Sequence, residues 1–266
     1  MSDLNESAID WPDLRQTREA LQVGDGSGVR IAVIDSGIEA DHPRLSSMNL
    51  IESISFAENA GRIIIDEKDL TDSYGHGTAV ASIIHEVAPK AEIGSFRVID
   101  GRSVSRTHLI CAGVNEAIKR GYHILNCSFG CRGLAKFILP HKEWADLAWL
   151  SGVHVVAACS NVDSNEAEWP SHFSSVIGVD LADTSDDSIY HRKNHMASFS
   201  ARGENIEVAW TGGGVQTQTG TSFAAPRVTG MMARILSRFP DTSPALMLHL
   251  LAEVSEPWRT ELDADW

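Results

Sequence analysis

The sequence predicts an α/β fold: a single domain with a mostly parallel central sheet and helices on both faces. Three observations carry that expectation. Short, nearly continuous apolar runs alternate with longer segments of helical periodicity, as in sheets buried on both faces. The chain has 266 residues, 43% of them hydrophobic, enough for one substantial core. No internal repeat, low-complexity tract or linker divides it.

The strands are read at 29–34 (VRIAVI), 92–98 (EIGSFRV), 123–129 (HILNCSF) and 153–159 (VHVVAAC). Helices are read between them at 75–87, 106–121 and 142–152, the last two stopped by Gly121 and Gly152, residues suited to helix ends. A final pair is expected at 223–238 and 244–254. The first of this pair carries Pro226 one turn in. If that helix starts near Ser222, the proline withholds the N–H that would bond the Ser222 carbonyl, a local cost that calls for a reason. Residues 1–10 read as an N-terminal extension, 11–253 as the domain and 254–266 as an acidic tail.

A balance of 22 Lys+Arg against 36 Asp+Glu gives a net charge of −14, which argues against nucleic acid and anionic membranes as partners. No apolar run approaches the roughly 20 residues of a membrane span, and the opening MSDLNESAIDWPDLRQ lacks the basic and apolar parts of a secretion signal. A cytoplasmic protein is therefore expected. Cys111, Cys127, Cys131 and Cys159 lie in or beside apolar segments and read as buried thiols in a reducing compartment. The Cys127/Cys131 spacing has no second close Cys or His pair to complete a zinc site, so no metal and no cofactor is expected.

In open α/β sheets, chemistry gathers beyond the carboxyl ends of the strands. Asp35 follows the first apolar run, Ser128 stands near the end of the third and Asn161 just past the fourth, while His76 and Ser222 open helices. A serine hydroxyl needs an adjacent base to act as a nucleophile, and His76 suits the task because a free imidazole titrates near about 6.5. Asp35 would hold the other ring nitrogen. The Asn161 side-chain amide and the Ser222 backbone N–H would stabilise an oxyanion. Each residue alone has a plainer reading, as a turn, a helix start or a cap; their joint arrival is what asks for chemistry.

The motifs IAVIDSGI, HGTAVAS and GTSFAAP occur in that order, supported by VAPKAEI, ILNCSFG, VVAACSN and ASFSARG. Over residues 11–252 the chain resembles the catalytic domain of subtilisin-like serine proteases, whose triad order Asp, His, Ser is the one subtilisin itself exemplifies. The resemblance implies a serine endopeptidase acting on a peptide or protein through an acyl-enzyme, with Asp35, His76 and Ser222 catalytic and Asn161 in the oxyanion hole. It further implies substrate binding by Ser128, Phe129 and Gly130 on one strand and by Ala158, Cys159 and Ser160 on the other. Trp169-Pro170 resembles the family's aromatic-proline pair. That resemblance implies a place for Glu168 at the floor of the pocket for the residue before the scissile bond, where a carboxylate would favour Arg or Lys; the alternative reading of NVDSNEAEWPS is a solvated acidic loop.

The chain departs from the family pattern at Ala79 (often His), Ser82 (often Gly) and Ser160 (often Gly). Only IIHE (83–86) separates HGTAVAS from VAP, leaving no room for the calcium loop of extracellular relatives, and about ten residues precede the resembling region, so no propeptide is expected. Folding is accordingly expected to proceed without either; a large calcium-dependent rise in Tm would contradict it. Processing of a precursor or leader peptide is the expected task. The alternatives are a homologue that binds peptides without cutting them, and a transpeptidase or macrocyclase, which the lack of an insertion near His76 to exclude water disfavours. The sequence names no inhibitor or regulatory partner.

Overall fold

The computed structural model describes residues 11–163, 166–193, 195 and 197–258; the N-terminal extension (1–10) and the last part of the acidic tail lie outside them. In chain order, helix α1 (Leu14–Val23) leads to strand β1 (Arg30–Asp35), the hairpin β2 (Asn49–Asn59) and β3 (Arg62–Asp66), helix α2 (His76–Val87), β4 (Glu92–Arg97), α3 (Thr107–Lys119) and β5 (Ile124–Cys127). The short strand β6 (Cys131–Arg132), α4 (Ile138–Leu150), β7 (His154–Ala158), the short β8 (Glu168–Trp169) and β9 (Ile177–Ala182) follow. The chain ends through β10 (Ile189–His191), β11 (Phe199–Arg202), the hairpin β12 (Ile206–Trp210) and β13 (Gly214–Gln218), α5 (Thr221–Leu236), α6 (Pro244–Val254) and β14 (Glu256–Pro257).

Among the described residues, ten strands form one sheet in the order β14-β10-β11-β9-β7-β5-β1-β4-β2-β3, antiparallel only at β10/β11 and β2/β3. The expected parallel sheet is present because the four apolar runs read from the sequence become its middle. Side chains alternate across it. Ile31 and Val33 of β1 pack into one core with Val80 and Ile84 of α2 and Val228 and Met232 of α5, while Ala32 and Ile34 enter the other core with Val114 of α3 and Trp144 of α4. Each fully buried side chain of this size contributes about 1.5–3 kcal/mol of transfer free energy, which makes the sheet centre the rigid part of the molecule.

Some boundaries moved for local reasons. α4 starts at Ile138, a turn before the expected 142, because Pro140 falls in the first helical turn, where its missing N–H has no bond to lose. The beginning of the tail is tied down: Glu256–Pro257 pairs with β10, the Trp258 ring meets Tyr190 edge-on at 5.7 Å and the Arg192 guanidinium lies 4.9 Å from the Trp258 ring. Among the described residues no helix is long and apolar enough to cross a membrane.

Candidate active site

Parallel pairing of β1 with β5 and of β5 with β7 brings their carboxyl ends to one edge of the sheet. A cleft of about 350 Å³ opens there, lined by Asp35, His76, Ser222, Ser128, Phe129 and Gly130 among others. Residues far apart in the chain therefore share one hollow.

His76 is the first residue of α2, and its Nδ1 lies 2.9 Å from each carboxylate oxygen of the fully buried Asp35. With Nδ1–H donating to that carboxylate, Nε2 keeps its lone pair for a proton. Burial works against a charged ring, but the charge and hydrogen bond of Asp35 and the charge of Asp72 outweigh it and raise the His76 pKa above the ordinary value.

Asp72 was not singled out from the sequence, although it stands four residues before His76 in DSYGHGT. Its carboxylate accepts from Ser36 Oγ at 2.8 Å, the N–H groups of Tyr74, Gly75 and Thr78 at 2.9, 2.7 and 2.9 Å, and Thr78 Oγ1 at 2.6 Å. Ser36 Oγ in turn accepts the Gly77 N–H at 3.0 Å. Gly75 precedes the helix at φ 113°, and a Cβ there would lie 2.5 Å from the Trp210 ring, so glycine is required and no side chain at that position caps the helix. Ser36 and Asp72 satisfy the open N–H groups instead and place negative charge at the helix start.

Ser222 is the only residue of 221–230 that is not buried. Gly220 and Thr221 fasten the start of α5 to the residues that follow β11 and β7. The Gly220 N–H donates to the Gly203 carbonyl at 3.0 Å, and Thr221 Oγ1 to the Cys159 carbonyl at 2.7 Å. The proline has its explanation here. The Ser222 carbonyl that Pro226 leaves without a helical partner accepts a hydrogen bond from Ser128 Oγ at 3.0 Å. Ser128 Oγ accepts from Asn126 Nδ2 at 2.9 Å, and Asn126 Oδ1 accepts from Thr229 Oγ1 at 2.8 Å. The helix turn bearing the hydroxyl is thereby pinned to the end of β5. Asn161 Oδ1 accepts the Thr221 N–H at 2.9 Å, which fixes the amide beside the helix start and leaves its NH₂ group without a partner among the described residues.

Residues 26–256 match the family model described as the subtilase family, peptidase S8. The chain belongs to the subtilase family. It is 28% identical to subtilisin DY of Bacillus licheniformis, covering 92% of this chain and 89% of that protein, and 26% identical to thermitase of Thermoactinomyces vulgaris, covering 85% and 81%. A crystal structure of a cold-adapted subtilisin-like serine proteinase matches with a TM-score of 0.68 at 26% identity, covering 86% of this chain and 83% of that one. The chain is thus a subtilisin-like serine endopeptidase, a hydrolase that acts on peptides or proteins.

Of the substrate-binding candidates, Ser128, Phe129 and Gly130 line this subtilase's cleft, with the Ser128 hydroxyl committed to the Ser222 carbonyl. The Ala158 and Cys159 side chains are buried, as expected at the end of a strand covered on both faces, and burial pushes the Cys159 thiol up to about 12. Ser160 turns its hydroxyl back on its own loop, accepting the Val162 N–H at 3.2 Å. Glu168 sits on β8, which pairs with β6, and its carboxyl group packs against Gly130: a Cβ on that glycine would lie 2.4 Å from the Glu168 carboxyl carbon. Among the described residues no group of three or more His, Cys, Asp or Glu side chains is placed to hold a metal ion.

The charge on Asp72 gives a test. A general base works only when deprotonated, so a raised His76 pKa places the acid limb of kcat/KM at higher pH. Asp72→Asn removes one of the charges that raise it, and the limb is expected to move to lower pH in a pH-rate profile. An unmoved limb would exclude Asp72 from setting the base.

Proposed function

We propose that this subtilase cleaves peptide bonds after Arg or Lys, with Ser222 as nucleophile, His76 as general base and acid, and Asp35 holding the imidazole. Ser222 Oγ attacks the scissile carbonyl as its proton passes to His76 Nε2. The tetrahedral oxyanion is met by the Asn161 NH₂ group and the Ser222 N–H at the start of α5. Collapse expels the amine, which takes the proton from His76, and leaves an ester on Ser222; water, deprotonated by His76, then hydrolyses it.

The observation that carries the basic preference is the Glu168 carboxyl group. It packs on Gly130 of the cleft wall, burial raises its pKa against the opposing charge of His172, and its carboxylate oxygens accept no hydrogen bond from a described residue. A cationic substrate side chain would supply the missing partner. A narrow preference of this kind, with all four cysteines free, suits trimming of a precursor or leader peptide in a reducing compartment, the cytoplasm. Cleavage of a peptide library by the natural enzyme and by Glu168→Gly tests the reading. The substitution is expected to lower kcat/KM after Arg and Lys by about tenfold or more and to spare apolar residues; an unchanged preference would remove Glu168 from the pocket.

A further inference from the structure

Among the described residues nothing covers the β3 edge of the ten-stranded sheet. β3 pairs with β2 on one side and is last in the strand order. All five residues, Arg62-Ile63-Ile64-Ile65-Asp66, are exposed, the isoleucines at 40%, 50% and 49%. A bare apolar strand edge is a template for another strand, and β3 carries no proline, lysine or bulge to discourage one. The hairpin turn fixes what the edge offers. Ala60 and Gly61 have φ of 50° and 74°, as a two-residue type I′ loop requires, which makes Asn59 and Arg62 the hydrogen-bonded closing pair. Alternation along the ladder then turns the backbone groups of Arg62, Ile64 and Asp66 toward β2 and leaves the N–H and C=O of Ile63 and Ile65 facing outward.

We infer that β3 is a self-association edge whose occupant is β3 of a second copy of this chain, antiparallel about a two-fold axis at Ile64. The charges choose that partner. The strand reads cation, three isoleucines, anion, so this pairing sets Arg62 opposite Asp66 of the second copy at both ends, Ile63 opposite Ile65, and Ile64 opposite itself. A parallel in-register pairing sets like charges together, and a slipped register leaves the two ends unmatched. Both ends are exposed. Arg62 makes no ion pair with any described residue; Asp66 accepts the Lys68 N–H at 3.0 Å, and its charge also acts on the Arg97 guanidinium, which is paired with Asp69. The outward groups of Ile63 and Ile65 supply the intermolecular backbone bonds. A five-residue strand pair is a small contact beside the roughly 1,600 Å² of a standard stable interface, so the dimer is reversible and concentration-dependent. The inference is independent of the specificity proposed above, since β3 lies outside the cleft.

Sedimentation velocity over a concentration series, on the full chain carrying Ser222→Ala to prevent self-digestion, tests it. A monomer–dimer equilibrium is expected. Arg62→Asp puts like charges at both ends and is expected to weaken dimerisation by about tenfold, and the double swap Arg62→Asp/Asp66→Arg to restore it within about threefold. Far-UV circular dichroism and Tm of the variants, expected to match the parent chain, separate a lost contact from a lost fold, since Asp66 also accepts the Lys68 N–H and acts on Arg97. Ile64→Cys provides a second readout: the two residues form the non-hydrogen-bonded pair, with Cα atoms about 4.5 Å apart, so oxidation is expected to join two chains through residue 64. A monomer at every concentration with no such cross-link overturns the inference. So does a dimer indifferent to Arg62→Asp or one that the double swap fails to restore.

Discussion

Ser222→Ala is expected to lower kcat by about 10⁶-fold with little change in KM, the magnitude being the one subtilisin shows for loss of its nucleophile. The reason lies in the site. Ser222 is the one residue of 221–230, the first turns of α5, that is not buried, and it lines the same cleft as an imidazole whose other nitrogen is held by Asp35. Because nucleophile and base act as one unit, His76→Ala is expected to cost about as much, and the double variant no more than either alone. Steady-state kinetics on a peptide substrate read this directly. Losses that multiplied in the double variant would mean that the two residues contribute separately.

The second large effect is expected at Asn161. Replacement by Leu keeps the bulk of the side chain and removes the amide, and kcat should fall by roughly 10²–10³-fold, or about 3–4 kcal/mol of barrier, the figure again being subtilisin's own. KM should stay nearly constant, because the donor is needed where charge develops in the transition state. The acceptor end of the amide is already held by the Thr221 N–H, so the donor end is oriented before substrate arrives. A loss confined to KM would make Asn161 a binding residue and place the oxyanion donors elsewhere.

Much of this was legible in the sequence, for a physical reason. Asp35, His76, Ser222 and Asn161 stand where apolar runs stop or helices start, and such positions bring distant residues to one edge of a parallel sheet. The supporting residues were not legible. Ser36, Asp72, Asn126 and Thr229 are ordinary polar side chains whose work follows from neighbours 36, 6 and 103 positions away in the chain, as in Ser36 to Asp72, Thr78 to Asp72 and Thr229 to Asn126. Pro226 posed the right question in the sequence, but only the fold shows Ser128 answering it. α1 was legible but not read: it is a mostly polar helix whose few apolar residues fall on one face, and Asp13 and Gln16 form a capping box at its start. β10 escaped because it is three residues long, and β3 because all of its residues are exposed and no buried face gives it an alternating pattern.

The most direct measurement of the central claim, that Ser222 is an activated nucleophile, is reaction of the folded protein with a fluorophosphonate followed by peptide mapping. Stoichiometric labelling at Ser222 that is lost in His76→Ala is the expected result. Labelling at another residue, or none while a peptide substrate is still hydrolysed, would contradict it.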